Sequence, residues 1–340
     1  MMTPEGTYDE ALQRLHRSGP EFEGWLSNHG PMAVEAMARR GCEAAVHAWT
    51  DDYLVRLDEP PRPRFAIGPD EWRDPLGDPS RSGDWIAFFD RAIREEPWQQ
   101  VVVAWWPRLL PGIAAGATHG VIRLGHALRA IRDHDTEPRR AEVGRALAYW
   151  AARWQPLPVV VASGGAAAGV VLTDLPSVAD QRFGIRHRLR GLDPRFGRAA
   201  AELAAPATPE TVPRALAGIV DDVLQLYPRL AHANPTMLVH AATAPNAVLA
   251  ALPSLPNALW PAGFDAAWTA TAAVVSAYRP SSVGVVVPAQ HEDAEALFAT
   301  AVAHGGEHVV KLADAAADGY TRTGDRTALA AVETAVRLGA

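Results

Sequence analysis

The chain has 340 residues and a formal net charge of −7. This acidic balance, in a chain without any Lys/Arg-rich stretch, argues against a nucleic-acid partner. The single cysteine, Cys42, excludes an intrachain disulfide and favours a reducing compartment. No apolar run suits a signal peptide or reaches the roughly 20 residues of a membrane span. We therefore expect a cytoplasmic protein that does not enter a membrane.

Apolar residues at helical spacing predict helices along most of the chain. The predicted helices are 8–17, 31–49, 85–95, 98–110, 119–132, 139–154, 213–226, 235–252, 266–277, 292–303 and 328–338. Asp84 is the expected N-cap of the third helix. Only 159–162 and 281–287 resemble strands, which is too few for a sheet-based fold.

Two segments, 59–83 and 155–193, break the helical pattern. The first is rich in Pro, Gly and charged residues and predicts a long ordered loop. The second holds the string GGAAAG, where Ala166 replaces the second glycine of a dinucleotide-binding fingerprint, so a surface loop or a helix start is the favoured interpretation. We predict a single all-α domain over 1–340, with about ten or more helices, these two irregular excursions and an active site in the core of the helix bundle.

Several histidines lie where the predicted helices would bury them. His119 and His126 are two turns apart on one helix face, with Arg123 between them. A buried imidazole is costly unless it has a partner, which can be a backbone carbonyl or a metal ion. Helix bundles commonly build metal sites from side chains on facing helices. The histidines in such positions are His29, His119, His126, His240, His304 and His308, each of which is either a core residue bonded to a carbonyl or a metal ligand. The predicted surface histidines are His16, His47, His134, His187, His232 and His291.

Lys311 is the only lysine of the chain. Arg cannot lose its proton in a protein, whereas a buried Lys can, so a position that keeps Lys can require a neutral amine. Such an amine can form a Schiff base, act as a base, or add carbon dioxide to become a carbamate that binds a metal through oxygen. The alternative is an exposed salt bridge with Glu307, four residues earlier, in the favourable orientation.

Five strings of the sequence resemble the questin oxidase-like family: SNHGPMAVEAMARRG, WPRLLPGIAAGATHGVIRLGHALRA, ALAYWAARWQPLP, HANPTMLVHAATAP and HGGEHVVKLADAA. They extend from about residue 25 to residue 318. The resemblance implies an oxygenase that uses O₂ to open or oxygenate a ring of an anthraquinone- or anthrone-like aromatic polyketide. For this family the chemistry is described either as NADPH-dependent Baeyer–Villiger oxidation or as non-haem iron dioxygenation.

In the iron-dependent version, the resemblance implies four histidines and a carboxylated lysine as ligands. The matching positions here are His29, His119, His240, His308 and Lys311. Fungal members tend to carry another histidine where this chain has Arg123, so His126 is either an alternative ligand or a catalytic neighbour of the ligands. Arg123 is expected either to polarise a substrate carbonyl or to pair with a carboxylate. Such a ligand set suits Fe(II) and leaves one coordination position open.

Three functions remain as hypotheses. The leading one is an Fe(II)-dependent oxygenase. The second is a metal-independent, NADPH-dependent monooxygenase, against which the incomplete glycine fingerprint counts. The third is a non-catalytic helical protein that binds aromatic polyketides and in which the histidines are structural. In each case several of the 11 tryptophans are expected in the core, and some in the wall of an apolar pocket.

Overall fold

The computed structural model describes residues 4–340, and it confirms the all-α prediction. Within this range sixteen α-helices accompany one small antiparallel hairpin, formed by β1 (Glu21–Phe22) and β2 (Leu26–Ser27). The chain divides into two compact units, one comprising residues up to 156 with 250–256 and the other comprising 157–249 with 257–340. The prediction of one domain over 1–340 stays a prediction. None of the described helices combines the length and the apolar character needed to cross a membrane.

The first unit contains seven helices. They are α1 (Pro4–Leu15), α2 (Gly30–Arg39), α3 (Glu43–Leu54), α4 (Ser82–Glu95), α5 (Trp98–Leu109), α6 (His119–Asp133) and α7 (Glu137–Ala152). Helices α4 and α6 both pack against α7, and α2 packs against α1, α3 and α6. Aromatic side chains fill this core, where the Trp106 and Trp150 rings meet edge to face at 5.7 Å. Both side chains are fully buried, so these two tryptophans pack in the core.

The second unit contains nine further helices. They are α8 (Ala168–Asp174), α9 (Ile185–Arg190), α10 (Phe196–Ala201), α11 (Val212–Leu230), α12 (Pro235–Ala251), α13 (Trp260–Tyr278), α14 (Ala294–His304), α15 (Glu307–Thr323) and α16 (Thr327–Leu338). Helix α15 packs against α11, α14 and α16. This helix was not among the predicted ones, although it carries His308 and Lys311.

Two helix boundaries differ from prediction. The predicted helix 31–49 is two helices, because Gly41 adopts a left-handed φ of 75° that interrupts the helical path between α2 and α3. Asp84 is not an N-cap, since α4 begins at Ser82. Its carboxylate instead accepts hydrogen bonds from the backbone N–H groups of Arg64 and Phe65, and so holds the long loop 59–83 against α4.

The two strand predictions are wrong, because neither 159–162 nor 281–287 forms a strand in the described structure. Their β-branched residues are largely exposed, as in Val285 at 88 % exposure. The strand preference of such residues depends on packing against neighbouring strands, and no neighbouring strand lies beside these segments in the described structure. The two irregular segments are found, with a 3₁₀ turn at Pro79–Arg81 in one and α8 and α9 in the other. The GGAAAG string leads into α8 at Ala168, as a helix start would.

Candidate metal centre

His29 and His119 form a close pair in the first unit. His29 directly precedes α2, and His119 is the first residue of α6. Both are buried, with 3 % and 6 % exposure. Their Nε2 atoms lie 2.7 Å apart, and the rings are nearly perpendicular with centroids 4.5 Å apart. Two of the predicted ligands, distant by 90 residues in sequence, are therefore brought together.

The contacts of the Nδ1 atoms indicate whether each Nε2 atom carries a proton or a lone pair that can bind a metal. His119 Nδ1 lies 2.5 Å from the Gly116 carbonyl oxygen, which can only accept, so Nδ1 carries the proton and Nε2 carries the lone pair. His29 Nδ1 lies 3.4 Å from the Tyr53 hydroxyl, which also accepts a hydrogen bond from the His29 backbone N–H at 2.7 Å. A proton or a metal ion must separate two facing Nε2 atoms. Adjacent ligands about 2.1 Å from one metal lie roughly 3 Å apart, so the observed spacing fits a metal site.

A strained turn sets the position of His119. Gly116, Ala117 and Thr118 all have left-handed φ angles, of 52°, 59° and 68°. Such a conformation costs a residue with a side chain roughly 1 kcal/mol or more, and it tends to persist at functional sites. The turn directs the Gly116 carbonyl at the His119 ring. The string GATHG gave no sign of this strain, because only one of the three residues is of a type that favours the conformation.

His240, His308 and Lys311 belong to the second unit, His240 on α12 and the others on α15. His240 and Lys311 are each 1 % exposed. The His240 and His308 rings meet edge to face with centroids 5.2 Å apart. His240 Nδ1 lies 3.1 Å from the Met237 carbonyl oxygen, which again places the lone pair on Nε2. His308 and Lys311 lie three residues apart on α15.

Burial governs the protonation of this second group. It lowers the pKa of Lys311 to about 7, although the Glu307 carboxylate acts in the opposite direction. Burial and the charge of Lys311 together lower the pKa of His240 to about 3. The alternative prediction of an exposed salt bridge between Glu307 and Lys311 is wrong about exposure, because the two residues are only 8 % and 1 % exposed. The lysine therefore has the environment in which a neutral amine is accessible near neutral pH.

Arg123 and His126 are each held by a buried carboxylate. Arg123 donates to Glu142 through Nε at 2.6 Å and a terminal nitrogen at 2.8 Å, so the expected carboxylate pairing is confirmed. Burial alone would raise the pKa of Glu142, but Arg123 lowers it to about 2. His126 Nδ1 lies 2.7 Å from a Glu35 oxygen.

Sequence reasoning missed this carboxylate network. Glu35 and Glu142 are 4 % and 1 % exposed, and the acidic residue inside the apolar string PMAVEAMA was an available signal. His16, predicted at the surface, is half-buried and lies 2.8 Å from Glu142. His134, His187 and His232 are exposed as predicted, whereas His47 and His291 are half-buried.

Comparison with known families accounts for most of the chain. The family model described as Questin oxidase-like matches residues 26–243, more than half of the 340 residues. No curated protein sequence matches. The matched range includes His29, His119 and His240 and ends before His308 and Lys311. The chain belongs to the questin oxidase-like family, a family of oxidoreductases.

Proposed function

We propose that the protein is a non-haem iron oxygenase that uses O₂ to oxygenate or open a ring of an anthraquinone- or anthrone-like aromatic polyketide. Family membership supports the oxidative chemistry. The observation that carries the iron proposal is the His29–His119 pair, with its Nε2 atoms 2.7 Å apart in a buried place. The proposed ligands are His29, His119, His240, His308 and carboxylated Lys311.

The donor set suits Fe(II), which binds imidazole and anionic oxygen ligands. Bound iron would supply the capacity to bind O₂ and exchange electrons with it. The protein's part is to present neutral imidazoles. Burial keeps the pKa of His240 near 3, so its ring stays neutral at physiological pH. The Gly116 and Met237 carbonyls fix the His119 and His240 tautomers, and they orient both rings.

Lys311 would provide the anionic ligand. Its neutral amine nitrogen attacks the carbon of carbon dioxide, an N–C bond forms as one C–O π bond breaks with its electron pair moving to oxygen, and one N–H proton leaves to solvent, which gives a carbamate anion. The lowered pKa of about 7 provides the neutral amine that this reaction needs. One carbamate and four neutral histidines would leave Fe(II) with a net charge of +1, much less than that of the free ion.

Arg123 and His126 would help to position the ligands without binding the metal themselves. Both hydrogen bonds of the Arg123 guanidinium go to Glu142 on α7. We therefore propose that Arg123 positions α6, and with it His119, relative to α7. Glu35 holds His126 Nδ1 and also binds Arg129 through both of its oxygens. A buried network in which every charge is paired gives a rigid support for the neighbouring ligands.

Substitution of one proposed ligand tests the iron proposal. Protein purified anaerobically and loaded with Fe(II) should bind iron and consume O₂ in the presence of an anthrone. His240→Ala should lose both while keeping its helical circular dichroism. His187→Ala, on the exposed surface of α9, should keep both. Full iron occupancy in His240→Ala would contradict the ligand assignment, and turnover that needs NADPH without iron would establish the metal-independent monooxygenase instead.

A further inference from the structure

The first unit contains a cleft of about 610 Å³ that the proposed function does not use. It lies where the end of α1 meets α4 and α7. Its lining includes the basic residues Arg17, Arg94, Arg140 and Arg145 and the acidic residues Asp90 and Glu137. His16 also lines the cleft, but burial lowers its pKa and so favours the neutral ring. A local excess of basic groups is unexpected in a chain with a net charge of −7, and it marks the cleft as attractive to anions.

Among the described side chains, three of these arginines have guanidinium groups that no acid neutralises directly. Arg140 pairs with Asp135 at 2.6 Å, outside the cleft lining. The guanidinium groups of Arg17, Arg94 and Arg145 make no ion pair within 4 Å among residues 6–340. Arg presents several donors in a rigid planar fork that matches the oxygens of a phosphate or a carboxylate.

Arg145 is the member whose donors are least satisfied. Its Nε atom is buried and makes no hydrogen bond with the described part of the chain. Burial lowers the pKa of Arg145, with Asp90 acting against this effect. Because a guanidinium does not lose its proton near neutral pH, the charge must be stabilised in another way. An anion in the cleft would supply a counter-charge for this guanidinium group.

We propose that this cleft binds a small organic molecule through an oxyanion, either a phosphate or a carboxylate, with Arg145 and Arg94 as its main contacts. The volume is within the range of roughly 300–1,000 Å³ that is usual for small-molecule sites. It exceeds what inorganic phosphate alone would fill, so the oxyanion belongs to a larger molecule. The site is separate from the proposed iron ligands and does not depend on them.

Arg145 connects the cleft to the surroundings of Arg123. It lines a second cavity of about 10 Å³ together with Arg123 and Asn28, the residue before His29. This cavity is about the size of one water molecule. An anion that draws Arg145 outward would therefore change the surroundings of Arg123, which pairs with Glu142.

Calorimetric titration of the metal-free, 340-residue protein tests the site, with pyrophosphate and 2-naphthoate as the two probes. Saturable binding of pyrophosphate alone would identify a phosphate ligand, and binding of naphthoate alone a carboxylate ligand. Arg145→Gln should weaken the binding at least about tenfold, the expected loss for one charged hydrogen-bonding group. Raised salt should weaken it further.

Matched variants control for fold and charge. Arg94→Gln removes an exposed cleft arginine and should weaken binding even if Arg145→Gln folds poorly. Arg186→Gln removes the same charge from the exposed surface of α9 and should leave binding unchanged. Absence of saturable binding for both probes, or equal weakening in Arg186→Gln and Arg94→Gln, would overturn the proposal. Because the readout is binding without metal, failure of this site and failure of the iron proposal are distinguishable.

Discussion

Lys311 shows how far a single residue type can indicate chemistry. A chain that uses one lysine beside 31 arginines raises the question of why arginine does not serve there. The structure places Lys311 in a buried position, where the ammonium form is disfavoured and the pKa falls to about 7. The sequence alone could single out Lys311, but it could not predict its burial, which results from the packing of α15 against α11, α14 and α16.

Replacement of Lys311 by methionine should stabilise the metal-free protein at neutral pH. The lysine binds its proton with a pKa of about 7 when folded and 10.5 when unfolded, so between these values the unfolded chain holds more protons. The free energy of unfolding therefore rises with pH across this window, and below it the full cost of burying the charge applies, roughly 1.4 kcal/mol for each pKa unit. Lys311→Met should remove that rise and gain several kcal/mol near pH 7.

Urea unfolding in buffers free of carbon dioxide, at several pH values from about 7 to about 10, measures this effect. Arg186→Met is a matched control that removes an exposed charge and should keep the pH dependence of the parent. An unchanged slope of unfolding free energy against pH in Lys311→Met would show that another group is responsible.

Carboxylation itself has a direct spectroscopic signature. We expect protein substituted with a diamagnetic metal and equilibrated with ¹³C-bicarbonate to show one slowly exchanging carbamate carbon by NMR. With only one lysine in the chain, no other side-chain amine contributes to the spectrum. Lys311→Arg keeps the positive charge and cannot form the carbamate, so the resonance should be absent. Complete labelling of Lys311 by an amine reagent in the metal-loaded, active protein would exclude the carbamate.

Helix periodicity predicted most elements because the apolar positions alone define a buried helix face. The turn before α6 was not predictable, since three consecutive left-handed residues are stabilised by tertiary contacts that have no local signal. Gly120 shows how closely that helix is held. A Cβ atom at this position would lie 2.7 Å from Trp150 Cγ and 2.9 Å from Trp150 Cα on α7.

Gly120→Ala should therefore force α6 away from α7 and displace His119, the preceding residue. Overpacking should lower the free energy of unfolding by about 1–3 kcal/mol, and with it the unfolding temperature. We also expect weaker Fe(II) binding, although Gly120 contributes no ligand. Gly218→Ala on α11 is the matched control, because its Cβ would meet no atom within 4 Å. That variant should be stabilised by about 1 kcal/mol through helix propensity and should bind iron normally. Normal iron affinity in Gly120→Ala would show that the contact with Trp150 does not position His119.

At the scale of the whole molecule, composition and periodicity were enough for the fold class, since nearly all strong signals were helical. Division into two compact units was not visible in the sequence, because no linker marks it and residues 250–256 return to the first unit. The close pairs within each unit, His29 with His119 in the first and His240 with His308 in the second, likewise depend on contacts between helices remote in sequence.

The proposed ligand set takes His29 and His119 from one unit and His240, His308 and Lys311 from the other, so metal stoichiometry tests the whole proposal. If all five residues serve a single ion, the protein should bind one iron per chain. The double variants His29→Ala/His119→Ala and His240→Ala/His308→Ala should then each lose all of it. Each should also lose the rise in unfolding temperature that Fe(II) gives the parent protein, because a ligand that binds only the folded state stabilises it. Retention of one metal ion in either double variant, measured by elemental analysis, would show that the two groups bind separately.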